Sequence, residues 1–121
     1  MLVRLLLLIA VLFSTSPAYH FEERGKASYY ADRYQGRPTA SGELYHPDSL
    51  TAAHRTLPFG TQVTVVNPQT QQQIIVKIND RGPHTPGRII DLSRRAADSL
   101  DIVQLGVAQV ILKAAPTVVN P

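Results

Sequence analysis

The stretch from Thr61 to Leu92 constrains the fold most, because it alternates regular pattern with segments that cannot be regular. Thr61 to Val66 (TQVTVV) alternates polar and apolar residues with period two. Asn67-Pro68 then turns the chain, and Gln73 to Asn79 resumes the alternation. That period sends successive side chains to opposite faces of a strand, so 61–79 reads as a hairpin with one face buried. Asp80 to Gly87 (DRGPHTPG) holds two prolines and two glycines and forbids helix or ladder. Arg88 to Leu92 is a short apolar strand. Gly25 to Ala31 (GKASYYA) reads as a further short strand, Leu50 to His54 (LTAAH) as a strand or a helical turn, with strand favoured, and Gly106 to Lys113 (GVAQVILK) as a closing strand. Between them, Asp32 to Pro47 is a polar loop broken by Gly36, Pro38, Gly42 and Pro47. Ser93 is placed to cap one short helix over Arg94 to Leu100; Ala96 at its third position leaves no capping box. Five or six short strands with one helix predict an all-β protein, a small closed barrel.

Length and composition narrow the rest. The 121 residues suffice for one domain, and with no Cys the chain can form neither a disulfide framework nor a thiolate metal site. Arg4 followed by the apolar run Leu5 to Phe13 and then Ser16-Pro17-Ala18 has the layout of a cleavable secretory signal, cut after Ala18. The run is too short for the ~20 residues that cross a bilayer. The expected organisation is a signal at 1–18, a lead-in at 19–24, the barrel at 25–113 and a tail at 114–121. The expected location is periplasmic or secreted, with no lipid anchor. The net charge of +3 is a mild bias that suits an anionic polymer; the basic residues are too scattered for a nucleic-acid stripe, and no nucleic-acid partner is expected.

No GxSxG elbow, HExxH, CxxC or glycine-rich phosphate loop occurs, and the histidines at 20, 46, 54 and 84 lack metal-ligand spacing. No metal or cofactor is expected. Carboxylates, histidine and hydroxyls remain, the means of acid–base chemistry on sugars. Asp80 is the leading candidate: it ends an apolar strand and opens the Gly/Pro loop, where its carboxyl loses solvation. The competing role is to cap the turn that follows. Glu43 lies among small residues in Thr39-Ala40-Ser41-Gly42-Glu43, either near a ligand or as an ordinary loop acid. His54 follows two alanines and is either structural or functional. Asp91 sits between Ile90 and Leu92, and Tyr29 and Tyr30 can stack on sugar rings or simply pack.

In succession, GKASYY, GRPTASGE, LTAAHRTLPFGT, VKINDRGP and GRIIDLSRRAA resemble the RlpA-like (rare lipoprotein A) family over residues 25 to about 113. The resemblance implies a six-stranded double-psi β-barrel, and an endolytic peptidoglycan lytic transglycosylase acting on glycan strands stripped of their peptides. It places the catalytic acids on Glu43 and Asp80 and the motif histidine on His54. Tyr30, Thr39, Arg81 and Asp91 would then bind substrate, with Glu43, His54, Asp80 and Asp91 opening onto one groove of a monomeric protein. The other reading is an expansin-like module that grips or loosens glycan without cleaving it. Ala31 departs from the family, which usually has Gly there.

Overall fold

The computed structural model describes residues 21–115. Its elements are β1 (Phe21–Tyr29), a single 3-10 turn (Asp32–Tyr34), β2 (Thr51–Ala53), β3 (Gln62–Val66), β4 (Gln73–Asp80), β5 (Arg88–Leu92), the helix α1 (Arg94–Ser99) and β6 (Ala108–Ala114). The strands close into a barrel in the order β1-β5-β2-β4-β3-β6. Two pairs, β1 with β5 and β2 with β4, run parallel, and the other four are antiparallel. Each strand therefore has a hydrogen-bonded neighbour on either side.

The hairpin read from the alternation is present, with Val63 opposite Val76 and Val65 opposite Ile74. Its inward residues Val63, Val65, Val76 and Ile78 meet Ile90, Leu92, Val110 and Leu112 from the other strands, all at 1% exposure or less. Burying a side chain of this size contributes about 1.5–3 kcal/mol. Ser93 caps α1 by accepting the Ala96 N–H, and Ala96, Ala97 and Leu100 pack into the same core. Gly25 is fixed by close approach: a Cβ there would lie 2.7 Å from Ile89 Cγ2, so β1 and β5 meet where only hydrogen fits.

The first strand differs from the sequence reading. It starts at Phe21, inside the expected lead-in, and pairs with β6 from Phe21 opposite Ala114 onward. Residues 21–26 are half-buried or exposed, so the backbone ladder makes this strand, without an apolar alternation to announce it. The final strand likewise runs one residue into the expected tail. The expected signal at 1–18 lies outside the described residues, as do residues 116–121. Among the described residues no helix is long and apolar enough to cross a membrane.

Candidate active site

Strand register brings the two aspartates together. Ala53 on β2 is the register partner of Asp80 on β4 and of Asp91 on β5. The two carboxylates therefore flank one small residue, two strand spacings apart, about 10 Å at their Cα atoms. Both line a groove of about 490 Å³ together with Ser28, Tyr30, Tyr34, Arg33, Arg81 and Arg88. A hollow of about 280 Å³ shares Tyr30, Tyr34 and Asp80 with it and continues over Arg37, Pro38, Thr39 and Tyr45.

Asp80 stands where the two meet. Its Oδ1 accepts the backbone N–H of Ala40 at 2.8 Å and of Arg81 at 2.9 Å, and its Oδ2 accepts the Tyr30 hydroxyl. The Arg81 bond is the expected turn cap; the Ala40 and Tyr30 bonds come from elsewhere in the chain. All of these partners donate, an arrangement complementary to a carboxylate. Asp91 has a simpler setting: Oδ1 accepts the hydroxyl of Ser28, its register partner on β1. Its Oδ2 is 3.8 Å from the position a Cβ on Gly82 would occupy. Gly82, at φ +125°, adopts a conformation suited to glycine, and the His84 Nε2 lies 3.9 Å from the same Cβ position.

Aromatic rings form the wall. Tyr30 stacks on Tyr45 with centroids 4.4 Å apart and meets Tyr34 edge-on at 5.8 Å. Burial, and then the bond to Asp80, pushes the Tyr30 phenol well above its ordinary range, so it remains a hydroxyl donor. Burial also raises Tyr45, whereas the hydrogen bond from Arg33 lowers Tyr34. The guanidinium groups of Arg33 and Arg37 lie 5.2 and 5.4 Å from the Tyr34 ring centroid, giving this wall a positive fringe.

The other expected residues are placed differently. Thr39 lines the hollow, but its hydroxyl is 2.7 Å from the Glu43 carbonyl and donates there. Arg81 lines the groove with Nη1 held by the carbonyls of His54 and Leu57, at 3.1 and 2.8 Å, and its guanidinium 4.1 Å from the Phe59 ring centroid. Glu43 does not open onto the groove. Its carboxylate pairs with Lys77 Nζ at 2.8 Å in a separate depression shared with His46 and Asn79. The Lys77 hydrogen bond holds Glu43 below the usual carboxylate range, so it is ionised and unsuited to donating a proton near neutrality. His54 is not on the groove surface either: it is 3% exposed, with Nε2 2.8 Å from Glu23 Oε1 and Phe21 edge-on to its ring. The expectation of four groups on one groove is thus corrected to the two aspartates. Glu43 was displaced because its loop turns its backbone, not its side chain, toward Asp80; His54, just past β2, because its ring packs inward against Glu23 and Phe21 of β1.

Ser28, Tyr34, Tyr45 and Glu23 were not singled out from the sequence as site residues. Tyr45 and Tyr34 belong to the long loop, whose folding over the barrel no periodicity foretells. Among the described residues no group of three or more His, Asp or Glu is placed to hold a metal. A separate hollow on the barrel wall, over Leu50, Thr64, Ile74 and Ile75, carries no ionisable side chain.

Residues 22–112 match the family model described as lytic transglycolase. The chain belongs to that family. It is 55% identical over 93 residues to a Treponema pallidum protein named "Probable endolytic peptidoglycan transglycosylase RlpA", covering 76% of this chain and 29% of that protein. The endolytic peptidoglycan transglycosylase RlpA of Yersinia pestis is 53% identical over 83 residues, 69% of this chain and 23% of its own. That of Pasteurella multocida is 45% identical over 97 residues, 80% and 33%. The chain thus spans about a quarter to a third of these relatives. Among solved structures, Streptomyces papain inhibitor superposes with a TM-score of 0.65 at 24% identity, covering 84% of this chain and 100% of that one. A Clavibacter michiganensis expansin superposes at 0.63 and 20%, covering 84% and 54%. These likenesses identify the barrel as the expected double-psi fold.

Proposed function

We propose that the Asp80 groove cleaves peptidoglycan glycan strands as an endolytic lytic transglycosylase, at the MurNAc–GlcNAc β-1,4 bond of peptide-stripped strands. The observation that carries the reading is a carboxylate at the centre of a tyrosine-walled groove, in a chain of the lytic transglycolase family. In the reaction the bond from muramoyl C1 to the leaving oxygen breaks and a bond from C1 to the muramoyl 6-oxygen forms. The proton lost by the 6-hydroxyl balances the one gained by the leaving oxygen, and no water is consumed.

One acid/base serves both transfers, and Asp80 fills that role. Its resting hydrogen bonds prepare it to take the 6-hydroxyl proton. Glycan entering the groove draws the Tyr30 hydroxyl onto a sugar oxygen and leaves Oδ2 facing the leaving oxygen, to which Asp80 passes a proton. Asp91 holds a sugar hydroxyl across the groove. The tyrosine wall stacks on pyranose faces, and Arg81 with Arg33 attracts the lactyl carboxylate of MurNAc. The protein works outside the cytoplasm, where that polymer lies.

Digestion of peptide-stripped glycan strands followed by mass spectrometry tests the reading. Products ending in 1,6-anhydro-MurNAc are expected. Tight glycan binding with no such product would replace it with the expansin-like alternative, and hydrolysed reducing ends would replace it with a water-using hydrolase.

A further inference from the structure

His54 is buried behind the groove, yet two of its backbone hydrogen bonds reach groove residues, Asp80 and Arg81. Nδ1 accepts the backbone N–H groups of Thr56 and Leu57, both at 3.1 Å. A ring nitrogen that accepts carries no proton, so the ring proton sits on Nε2 and is donated to Glu23 Oε1 at 2.8 Å. The two accepted bonds close a tight turn over residues 54–57. That turn aims two carbonyls, of His54 and Leu57, at the same Arg81 Nη1. The His54 backbone N–H in turn donates to the Asp80 carbonyl at 3.1 Å, and the Arg81 N–H donates to Asp80 Oδ1.

From this geometry we infer that His54 is a positioning residue: its Nδ1 shapes the 54–57 turn that clamps Arg81 beside Asp80, and it exchanges no proton with substrate. Two features support this over direct catalysis. The ring is 3% exposed, and each ring nitrogen is already engaged, Nδ1 by two N–H groups and Nε2 by Glu23. The Phe21 ring, 5.8 Å away centroid to centroid, packs edge-on against it. Glu23 and Phe21 fix the ring plane, and Nδ1 then fixes the turn. Arg81 receives the result, with Phe59 as a platform under its guanidinium.

The chemistry of the turn supplies a discriminating substitution. In asparagine the side-chain Oδ1 occupies the place of the histidine Nδ1 and accepts the same two N–H groups, as Asn does in turns and at helix caps. In glutamine the polar group lies one atom further out, where it can reach Glu23 but not the turn. The expected order of turnover on peptide-stripped glycan is wild type, then His54→Asn within about threefold, then His54→Gln and His54→Ala together. The last two fall about 10- to 100-fold, the scale of a misplaced groove residue. In a cycle with Arg81→Ala the losses do not multiply, because both changes remove one clamp. A proton-transferring His54 predicts the opposite: Asn as inactive as Ala, and losses that multiply. Either outcome, in variants shown folded by thermal melting, overturns the inference.

Turnover as a readout rests on the function proposed above, so two measurements are independent of it. Nitrogen-15 NMR of the folded wild type is expected to show His54 with an unprotonated Nδ1 and a protonated Nε2; the reverse overturns the clamp. Glycan affinity by calorimetry should follow the same order of variants even if the wild type yields no anhydro product, in which case the function fails and the clamp stands. If His54→Ala does not fold, the Asn and Gln variants and the NMR measurement still decide.

Discussion

Two acids flank the Thr39–Glu43 loop, and the protein treats them in opposite ways. The loop gives its backbone to Asp80, through the Ala40 N–H, and its side chain to a different place, where Glu43 meets Lys77 at the surface. Asp80 sits among tyrosines and accepts donors fixed to β1, to the loop and to its own turn. Glu43 has a flexible ammonium partner, and both side chains are more than two-fifths exposed. An acid held by rigid donors next to a groove is preorganised for a reaction; an acid on an exposed lysine is screened by salt and replaceable. The lesson is that a motif of small residues can serve the site through its peptide groups, with its one charged side chain elsewhere.

That contrast breaks most easily at Asp80. Asp80→Asn keeps the shape and one acceptor but cannot release and retake a proton, so anhydro-ended product should fall at least about 100-fold while glycan binding by calorimetry persists. Unchanged turnover with a lower melting temperature would instead make Asp80 a turn cap. Asp91→Asn should cost less, about tenfold, and appear chiefly in KM if its role is to hold a sugar hydroxyl. Tyr30→Phe keeps the ring stacked on Tyr45 and removes the hydroxyl donor; several-fold lower turnover is expected. The same variant reports on alkaline stability. The Tyr30 phenol is raised by folding, so the stabilisation it confers on the folded state is complete below its ordinary value of 10.0 and declines as pH rises beyond it. Tyr30→Phe should flatten that decline in a series of melting curves.

The smallest effect belongs to Glu43. Glu43→Gln is expected to leave turnover within about threefold, because Lys77 already has its ammonium in water. Folding lowers the Glu43 acid below 4.5, so whatever the pair contributes is present above that pH and is lost as pH falls through the lowered value. Melting of wild type and Glu43→Gln should therefore converge in acid, and also in high salt. A loss of turnover as large as that of Asp80→Asn would abolish the distinction between the two acids.

The barrel was legible wherever side chains alternate. Val63 to Val66, Ile74 to Ile78 and Arg88 to Leu92 carry their burial in the order of their residues, and Ser93 announces its helix. Phe21 to Lys26 does not, because that half of β1 is held by its backbone ladder to β6 with few buried side chains. The lining of the candidate groove was legible at Asp80, which marks the change from apolar strand to Gly/Pro loop, and at Asp91. It was not legible at Tyr45 or Glu23. Their partners lie far away along the chain, Tyr30 for the first and His54 for the second, and local pattern carries no information about such pairings. The positions of Glu43 and His54 were misjudged for a related reason: a motif names residues, while the direction of each side chain depends on which strand receives it.

The pairing of β1 with both β5 and β6 has a consequence for how the molecule comes into being. The first strand finds its partners only among the last two, and the two parallel pairs each enclose intervening chain. Contacts this remote in sequence must overcome loop-closure entropy before they yield stability, which places barrels of this kind among slow folders. The barrel cannot close until β6 is available to pair with both β1 and β3. Closure therefore waits on the strand that lies farthest from β1 along the sequence.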